Sequence, residues 1–327
     1  MKAKKITALA LSCTLLFTGC SAGGKTENGK SVAASTSVGN IYADDLYKSL
    51  SSGANSDSSL FSYVLDQLID EKFPATSDMK ESANEMYKNV LNSYKQQYSS
   101  EKEALSALKS DLKSSGQYTS ISDYKKKLVY SIQYSQMIKK YVKAHFDSVY
   151  NDYYKMATPR KVSIISISST NPSSPTKSEK AKLKEVQALL KEGQSFGSVA
   201  SKYSDDTSTK NADGSLGVVD TTNSLDNTYA SGVSAKALAL KSGQTSSVIT
   251  GTSAFYILHC DTTSKSEIKK ELKNVTIDSP LLTYDNYIVY LVYNTYHINY
   301  GDATIKKKVQ AYVKKQLAAR TKERKDK

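Results

Sequence analysis

A helical apolar period that is interrupted only once is the feature that most constrains the fold of this 327-residue chain. Residues 40–157 place apolar side chains three or four positions apart, which is the spacing of amphipathic helices. From Lys161 to Ile167 the pattern changes to the β-branched residues typical of a strand. Residues 265–320 return mostly to the helical pattern. The sequence therefore predicts an α+β fold in which one compact domain is inserted between two helical segments that pack together.

The interruption at residues 158–264 has the composition of a small α+β domain. After the first strand, the pattern predicts a helix over 178–192, a short helix over 196–202, a turn at Asp213-Gly214, a further helix, and strands over 248–250 and 254–259. Residues 40–157 and 265–320 would then be the two parts of one helical lobe. Within the second part, the apolar stretch from Tyr287 to Tyr296 fits either a helix or a buried strand.

The N-terminus is expected to be a targeting segment that takes no part in the fold. Three early lysines precede an apolar run from Ile6 to Thr18, which is too short to span a bilayer comfortably. The sequence Leu16-Phe17-Thr18-Gly19-Cys20 resembles the lipobox of bacterial lipoproteins. That resemblance implies cleavage after residue 19 and a diacylglycerol thioether on Cys20; the alternative is an ordinary secretory signal. Residues 20–39, rich in small and polar residues, are expected to be a flexible tether.

Composition excludes several kinds of chemistry. The chain has only three cysteines, at 13, 20 and 260, and three histidines, at 145, 259 and 297. These are too few and too scattered for a disulfide framework or a Cys/His metal cluster. Since neither a P-loop nor a dinucleotide-binding glycine pattern is present, the sequence predicts no metal and no cofactor.

Four stretches of the middle domain resemble the parvulins, a family of small peptidyl-prolyl isomerases. In chain order they are Gly193-Gln194-Ser195-Phe196-Gly197-Ser198-Val199-Ala200, Tyr203-Ser204-Asp205, Asp213-Gly214-Ser215-Leu216-Gly217, and Ala237-Leu238-Ala239-Leu240-Lys241-Ser242-Gly243-Gln244-Thr245-Ser246. With the lipobox and the helical flanks, the whole chain resembles the extracytoplasmic foldase lipoproteins of the PrsA type. Their helical lobe is related to the SurA lobe. The resemblance implies a chaperone that binds unfolded or nascent secreted polypeptides and is lipid-anchored at the outer face of the cell membrane.

The parvulin resemblance also assigns candidate site residues. The apolar cup for the proline ring maps to Leu216, to Tyr229 where the family has Met, and to Val233 where it has Phe. The polar Asp or Cys position maps to Asp206. Although Asp205 precedes it, neighbouring side chains usually diverge, so we do not expect an acid/base pair.

Both histidine positions of the family are substituted in this chain. The first maps to Ile164 and the second to Tyr256, with the hydroxyl of Ser253 nearby. His259 lies three residues beyond the second position, and odd spacing along a strand predicts the opposite sheet face. We therefore expect isomerase activity that is weak or absent in a protein that acts as a foldase. The alternative is a non-catalytic envelope scaffold or a lipoprotein that binds one partner.

The C-terminus is strongly basic. Residues 306–327 contain ten Lys and Arg against Glu323 and Asp326, within a chain whose formal net charge is +13. On a secreted lipoprotein, such charge favours anionic wall polymers or lipid headgroups rather than nucleic acid. The alternative is a solvated helix end, where lysines also suit the helix dipole. Residues 321–327 are expected to form a basic tail.

Overall fold

The computed structural model describes residues 26–27, 30–36, 39–42, 56–222, 224–300 and 303–327. The predicted signal peptide and the candidate lipidation residue Cys20 lie outside these described residues, as does the stretch 43–55 of the predicted helical region. Among the helices that are described, none is at once long enough and apolar enough to cross a membrane.

The segment before the first described helix contains three short strands. They are β1 (Thr26–Glu27), β2 (Lys30–Thr36) and β3 (Gly39–Tyr42), joined in that order into an antiparallel sheet. This differs from the flexible tether expected over 20–39 and from the helical pattern expected from Asn40. Backbone pairing between β2 and β3, from Val32 with Tyr42 to Thr36 with Gly39, satisfies backbone groups that a tether would leave to water.

Five helices follow within residues 56–157, where the description of the chain resumes. They are α1 (Ser56–Lys72), α2 (Ser77–Lys95), α3 (Glu101–Ser114), α4 (Ile121–Ala144) and α5 (Phe146–Ala157). Hydroxyl caps begin two of them: Thr76 Oγ1 accepts from the Met79 N–H at 3.2 Å, and Ser100 Oγ accepts from the Glu103 N–H at 3.2 Å. Helices α4 and α5 are separated at His145, whose φ of −119° and ψ of 28° are not helical.

The described residues divide into two compact units. One contains the described residues up to Lys140 together with 287–326, and the other contains 141–286. The second unit is built on a four-stranded antiparallel sheet of order β5-β4-β7-β6, with β4 at Arg160–Ser168, β5 at Ser215–Val219, β6 at Ile249–Thr250 and β7 at Ala254–Thr262. Its helices are α6 (Lys177–Lys191), α7 (Phe196–Tyr203), α8 (Val233–Ala239) and α9 (Lys265–Leu272). The sequence pattern did not predict β5, which follows the turn at Asp213-Gly214.

The second unit is wider than the predicted 158–264, because tyrosines of α5 attach that helix to it. Tyr150 donates to the Lys265 carbonyl at 2.5 Å, and Tyr154 donates to the Thr263 carbonyl at 2.6 Å. Tyr153 donates to Asp220 Oδ2 at 2.6 Å, with both side chains buried. The bounds 158–264 of an independent domain stay a prediction.

The first unit joins the two ends of the described chain. Its C-terminal helices are α10 (Ile288–Tyr293) and α11 (Ala303–Lys325), so the ambiguous tyrosine-rich stretch is helical. The Phe61 ring of α1 lies 4.9 Å from that of Tyr290, 5.1 Å from that of Tyr293 and 5.6 Å from that of Tyr312. The N- and C-terminal segments therefore form one helical lobe, and the predicted α+β architecture with a helical lobe is confirmed.

Candidate functional site

The sheet of the second unit buries different residues on its two faces, because successive side chains of a strand point to opposite sides. One face, here called the helix face, packs Ile165, Ile167 and Ile257 against α6 and α7. The other, here called the site face, packs Ile164 and Leu258 with residues of α8 and β5. All the parvulin-like apolar positions and Tyr256 lie on the site face.

Ile164, which the resemblance predicts at the first histidine position, is a fully buried apolar side chain with no exposed surface. Its N–H donates to the Gly214 carbonyl at 2.8 Å, which holds the turn before β5 against β4. Gly214 has a φ of +79°, and a Cβ there would lie 2.5 Å from the Ile164 carbonyl oxygen. The turn thus approaches β4 so closely that only glycine fits.

Tyr256, which the resemblance predicts at the second histidine position, is also buried, with 6% of its surface exposed. Its ring lies against Gly251, where a Cβ would come within 2.7 Å of Tyr256 Cε2. Its hydroxyl donates to the Tyr229 carbonyl at 3.3 Å, and the two rings meet edge to face at 5.6 Å. Burial, and then the nearby Asp206 charge, raise the pKa of Tyr256, so its hydroxyl is a neutral donor.

Asp206 is the centre of a small hydroxyl network. Its Oδ2 accepts from the Tyr229 hydroxyl at 2.9 Å and from Thr209 Oγ1 at 2.8 Å. Its Oδ1 accepts from the Ser208 N–H at 3.0 Å and from Ser208 Oγ at 2.5 Å. The carboxylate is therefore satisfied within the protein, and Tyr229 reaches it from a loop 23 residues further along the chain.

The two hydrogen-bonded groups, Asp206 and Tyr229, have pKa values that are shifted in opposite directions. Burial of Asp206 works to raise its pKa, but the hydrogen bonds from Ser208, Thr209 and Tyr229 outweigh it and hold the pKa below its ordinary value. Burial first, and then the hydrogen bond to Asp206, raise the pKa of Tyr229 far above its ordinary value. Asp206 is therefore an anion and Tyr229 a neutral donor throughout the physiological pH range.

The predicted proline cup is only partly accessible. Val233 has no exposed surface and lies in the core of the site face, so it cannot touch a substrate in this conformation. Leu216 and Tyr229 are half-buried and pack against that core, which leaves them as the accessible apolar walls. Ser253 is exposed in the loop before β7, and its carbonyl accepts from the Ser169 N–H at 2.9 Å. A role for the Ser253 hydroxyl stays a prediction.

Asp205 and Asp206 diverge, as expected of neighbours in sequence. Asp205 accepts from the Ser168 N–H at 2.9 Å and pairs with Lys182 at 2.6 Å. The preceding Ser204 is fully buried and accepts from the Ser166 N–H at 3.1 Å. Ser204 and Asp205 thus fix the loop to β4, while Asp206 alone belongs to the site.

His259 lies away from the site face, as its odd spacing from Tyr256 predicts. Its ring stacks on Phe196 of α7 at 5.2 Å, and its Nδ1 lies 2.9 Å from Thr245 Oγ1. The second predicted histidine position therefore has a tyrosine hydroxyl, and the first has the apolar side chain of Ile164. The parvulin-like network offers hydrogen-bond donors beside a fixed carboxylate, and it offers no group that exchanges a proton near neutral pH.

Sequence reasoning missed two partners of the site. The first is the pair Ser208 and Thr209, although the sequence Asp206-Thr207-Ser208-Thr209 carries the usual signal of a hydrogen-bonded Asp turn. The second is the contact of Tyr229 with Asp206, for which the sequence gives no local signal. Within the described ranges, no group of three or more His, Cys, Asp or Glu side chains is placed to hold a metal ion.

In the comparison with known families, residues 165–262 match the rotamase model described as a PPIC-type PPIASE domain. This range contains most of the site face and every candidate site residue of the second unit except Ile164, which immediately precedes it.

Curated relatives extend the similarity to most of the chain. The foldase protein PrsA of Staphylococcus epidermidis is 26% identical over 318 residues, which cover 95% of this chain and 91% of that protein. The foldase protein PrsA of Pediococcus pentosaceus is 29% identical over 231 residues, 69% of this chain and 67% of that protein. Among solved structures, PrsA of Streptococcus pneumoniae is 18% identical, with a TM-score of 0.42 over 86% of this chain and 99% of that one.

Proposed function

The chain belongs to the PrsA-type foldases and carries a PPIC-type domain, and from this premise we propose that it holds unfolded polypeptides well but isomerises X-Pro bonds slowly. The activity of a foldase or chaperone is common to its relatives. The finer proposal concerns how that activity is divided: the helical lobe binds the client, and the parvulin-like site contributes little catalysis.

The observation that carries the proposal is the burial of Ile164. This apolar side chain has no exposed surface, and it lies where the family resemblance predicts a histidine. The Tyr256 hydroxyl at the other position is directed to the Tyr229 carbonyl. An imidazole is therefore missing from both positions that would flank a bound X-Pro bond.

The physical consequence follows from the nature of the reaction. Rotation about a peptide bond has a barrier of about 18–20 kcal/mol, which arises from amide resonance. Only interactions that are stronger with the twisted amide than with the planar one lower this barrier. Because the Tyr229 hydroxyl already donates to Asp206, it must give up that bond before it can donate to a twisted amide.

The helical lobe offers a more suitable surface for client binding than the parvulin-like site does. Three large side chains of its described N-terminal part are exposed: Tyr63 in α1 at 59%, Met86 in α2 at 43%, and Tyr98 between α2 and α3 at 42%. Tyrosine combines an apolar ring with a polar hydroxyl, which suits contacts with many different sequences. These surfaces support binding of unfolded segments without a requirement for proline.

The place of action in the cell is extracytoplasmic, as for the related foldases. We further propose that Cys20 carries a lipid that anchors the chain at the outer face of the membrane. The lipobox-like sequence that ends in Gly19-Cys20 supports this. The basic residues of α11 support an additional attraction to anionic wall polymers or lipid headgroups.

A purely scaffolding lipoprotein is not favoured, because foldase relatives match nearly the whole chain.

The experiment is suppression of aggregation of a chemically unfolded client by the full chain. Asp206→Ala and Tyr256→Phe change the parvulin-like site and leave the exposed side chains of the helical lobe in place. We expect both variants to suppress aggregation as well as the wild type. Loss of suppression in either folded variant would show that clients are held in the parvulin-like site instead.

A further inference from the structure

A cavity of about 430 Å³ lies within the helical lobe, between the end of α10, the segment 294–300 and the exposed side of α11. This volume lies in the range of cavities that bind small ligands in other proteins, about 300–1,000 Å³. Val313 forms part of its floor and is buried at 3% exposure. The cavity is distant in sequence from the parvulin-like site, and nothing in the parvulin resemblance assigns it.

Three tyrosines give the cavity its aromatic wall: Tyr293, Tyr296 and Tyr300. The Tyr293 and Tyr300 hydroxyls are hydrogen-bonded to each other. Burial raises the pKa of Tyr293 and of Tyr296, so neither adds negative charge to the wall. The wall therefore offers ring surface and neutral hydroxyls.

Two lysines give the cavity its charge. Lys306 and Lys314 both line it, and neither forms an ion pair with a carboxylate of the described residues. No Asp or Glu is among the lining residues that the structure describes. Two cations and aromatic rings, with no carboxylate in the described part of the lining, are complementary to an anion that also has an apolar part.

The spacing of the lysines indicates the length of such a ligand. Eight residues along a helix correspond to about 12 Å, at about 1.5 Å per residue. An extended chain covers about 13 Å in four residues, and side chains four apart point the same way. Two carboxylates four residues apart, with an apolar side chain between them, match both the charges and the wall.

We propose that this cavity binds acidic segments of unfolded polypeptides, with carboxylates at Lys306 and Lys314 and an aromatic or aliphatic side chain against the tyrosines. The proposal rests on the proposed client-binding function and adds a preference in sequence to it. A phosphate polymer supplies the negative charge but no side chain to cover the aromatic wall, so a peptide is the better fit.

The test uses two charge-matched variants of the full chain. Lys306→Gln with Lys314→Gln removes the two cavity cations, and Lys307→Gln with Lys315→Gln removes two exposed neighbours on the same helix that do not line the cavity. Glutamine is a good helix former, so α11 should remain intact in both, which circular dichroism checks. The probe is the capped peptide Glu-Ser-Phe-Ser-Glu with a net-neutral rhodamine label, compared with Gln-Ser-Phe-Ser-Gln.

We expect the cavity variant to bind the acidic peptide about fivefold or more weakly than the wild type, and the control variant within about twofold. The glutamine peptide should bind weakly to all three proteins. Equal losses in both variants, or equal binding of the two peptides, would overturn the proposal. So would a poly(glycerol phosphate) probe that depends on Lys306 and Lys314 while the peptide does not.

Failure of this proposal is distinguishable from failure of the proposed function. If the wild type suppresses aggregation of a client and the two lysine variants do so equally well, only the acidic preference is wrong. If the wild type itself does not suppress aggregation, the client-binding function is wrong, and with it the premise of this inference.

Discussion

The hydroxyl of Tyr229 donates to Asp206 Oδ2 at 2.9 Å, joining two loops that are 23 residues apart in the chain. This hydrogen bond places a neutral donor from the predicted proline cup beside an anion at the predicted polar position. The Tyr229 hydroxyl and the Asp206 carboxylate are therefore already hydrogen-bonded to each other before any substrate binds. The contribution of this hydrogen bond to the free energy of unfolding can be measured directly, and so can its effect on catalysis.

Tyr229→Phe removes this donor and is expected to destabilise the fold by about 1 kcal/mol at pH 7, because the acceptor is charged but partly exposed. The pKa of Asp206 is lower in the folded chain than its ordinary value of about 3.9. Its stabilisation is therefore fully present above about pH 5 and is lost as the pH falls through the folded pKa. The difference in unfolding free energy between wild type and variant should shrink toward pH 3.

Tyr256→Phe is the control for this pH dependence. Its hydroxyl donates to a backbone carbonyl at 3.3 Å, so its contribution should vary much less with pH. Urea unfolding at several pH values measures both. A cost for Tyr229→Phe that stays constant from pH 7 to pH 3 would contradict the assigned hydrogen bond.

Gly214→Ala should destabilise the second unit by more than about 2 kcal/mol. The residue has a positive φ, and the new Cβ would lie 2.5 Å from the Ile164 carbonyl, a backbone atom that has little freedom to move. Gly232→Ala provides a matched control, because Gly232 has a φ of +86° but open space around it. It should cost only about 1 kcal/mol for the left-handed backbone. Equal urea midpoints for the two variants would show that the turn does not press on β4.

Cys20→Ala should abolish lipid modification and leave the precursor uncleaved by lipoprotein processing. In lipoproteins whose lipobox this leader sequence resembles, the thioether forms on the sulfur of the corresponding cysteine. Cys13→Ala is the matched control within the same leader, and it should be processed like the wild type. Intact mass and detergent phase partitioning report the outcome. A Cys20→Ala protein with the wild-type mass and membrane fraction would refute the anchor.

The sequence was sufficient for those features that depend on local periodicity. Strand β4 over Arg160–Ser168 follows from its β-branched residues, and the position of His259 on the opposite face follows from strand alternation. Strand β5 was missed because Ser215–Val219 is short and contains a glycine, which lowers the strand signal. The helix at Ile288–Tyr293 remained ambiguous because a short apolar run fits either period.

The burial of individual side chains and their long-range contacts could not be predicted from the sequence. The parvulin motif aligned Val233 with a wall of the proline cup, but its full burial depends on how α8 packs on the sheet. The Tyr229 contact with Asp206 depends on the path of two loops, which residue types do not specify. Both features bear on substrate access, so the sequence could name candidate site residues but could not predict how much of each is accessible.

The most direct test of the central claim is kcat/KM for cis–trans isomerisation of an X-Pro peptide. The full chain, Asp206→Ala, and Ile164→His with Tyr256→His are assayed beside a parvulin that has both histidines. With Ile164 buried at a histidine position, we expect the wild type to be at least about 100-fold slower than that parvulin. The double variant should gain activity to the extent that the site face accommodates buried imidazoles. A wild type as fast as the parvulin, which loses that activity in Asp206→Ala, would contradict the claim.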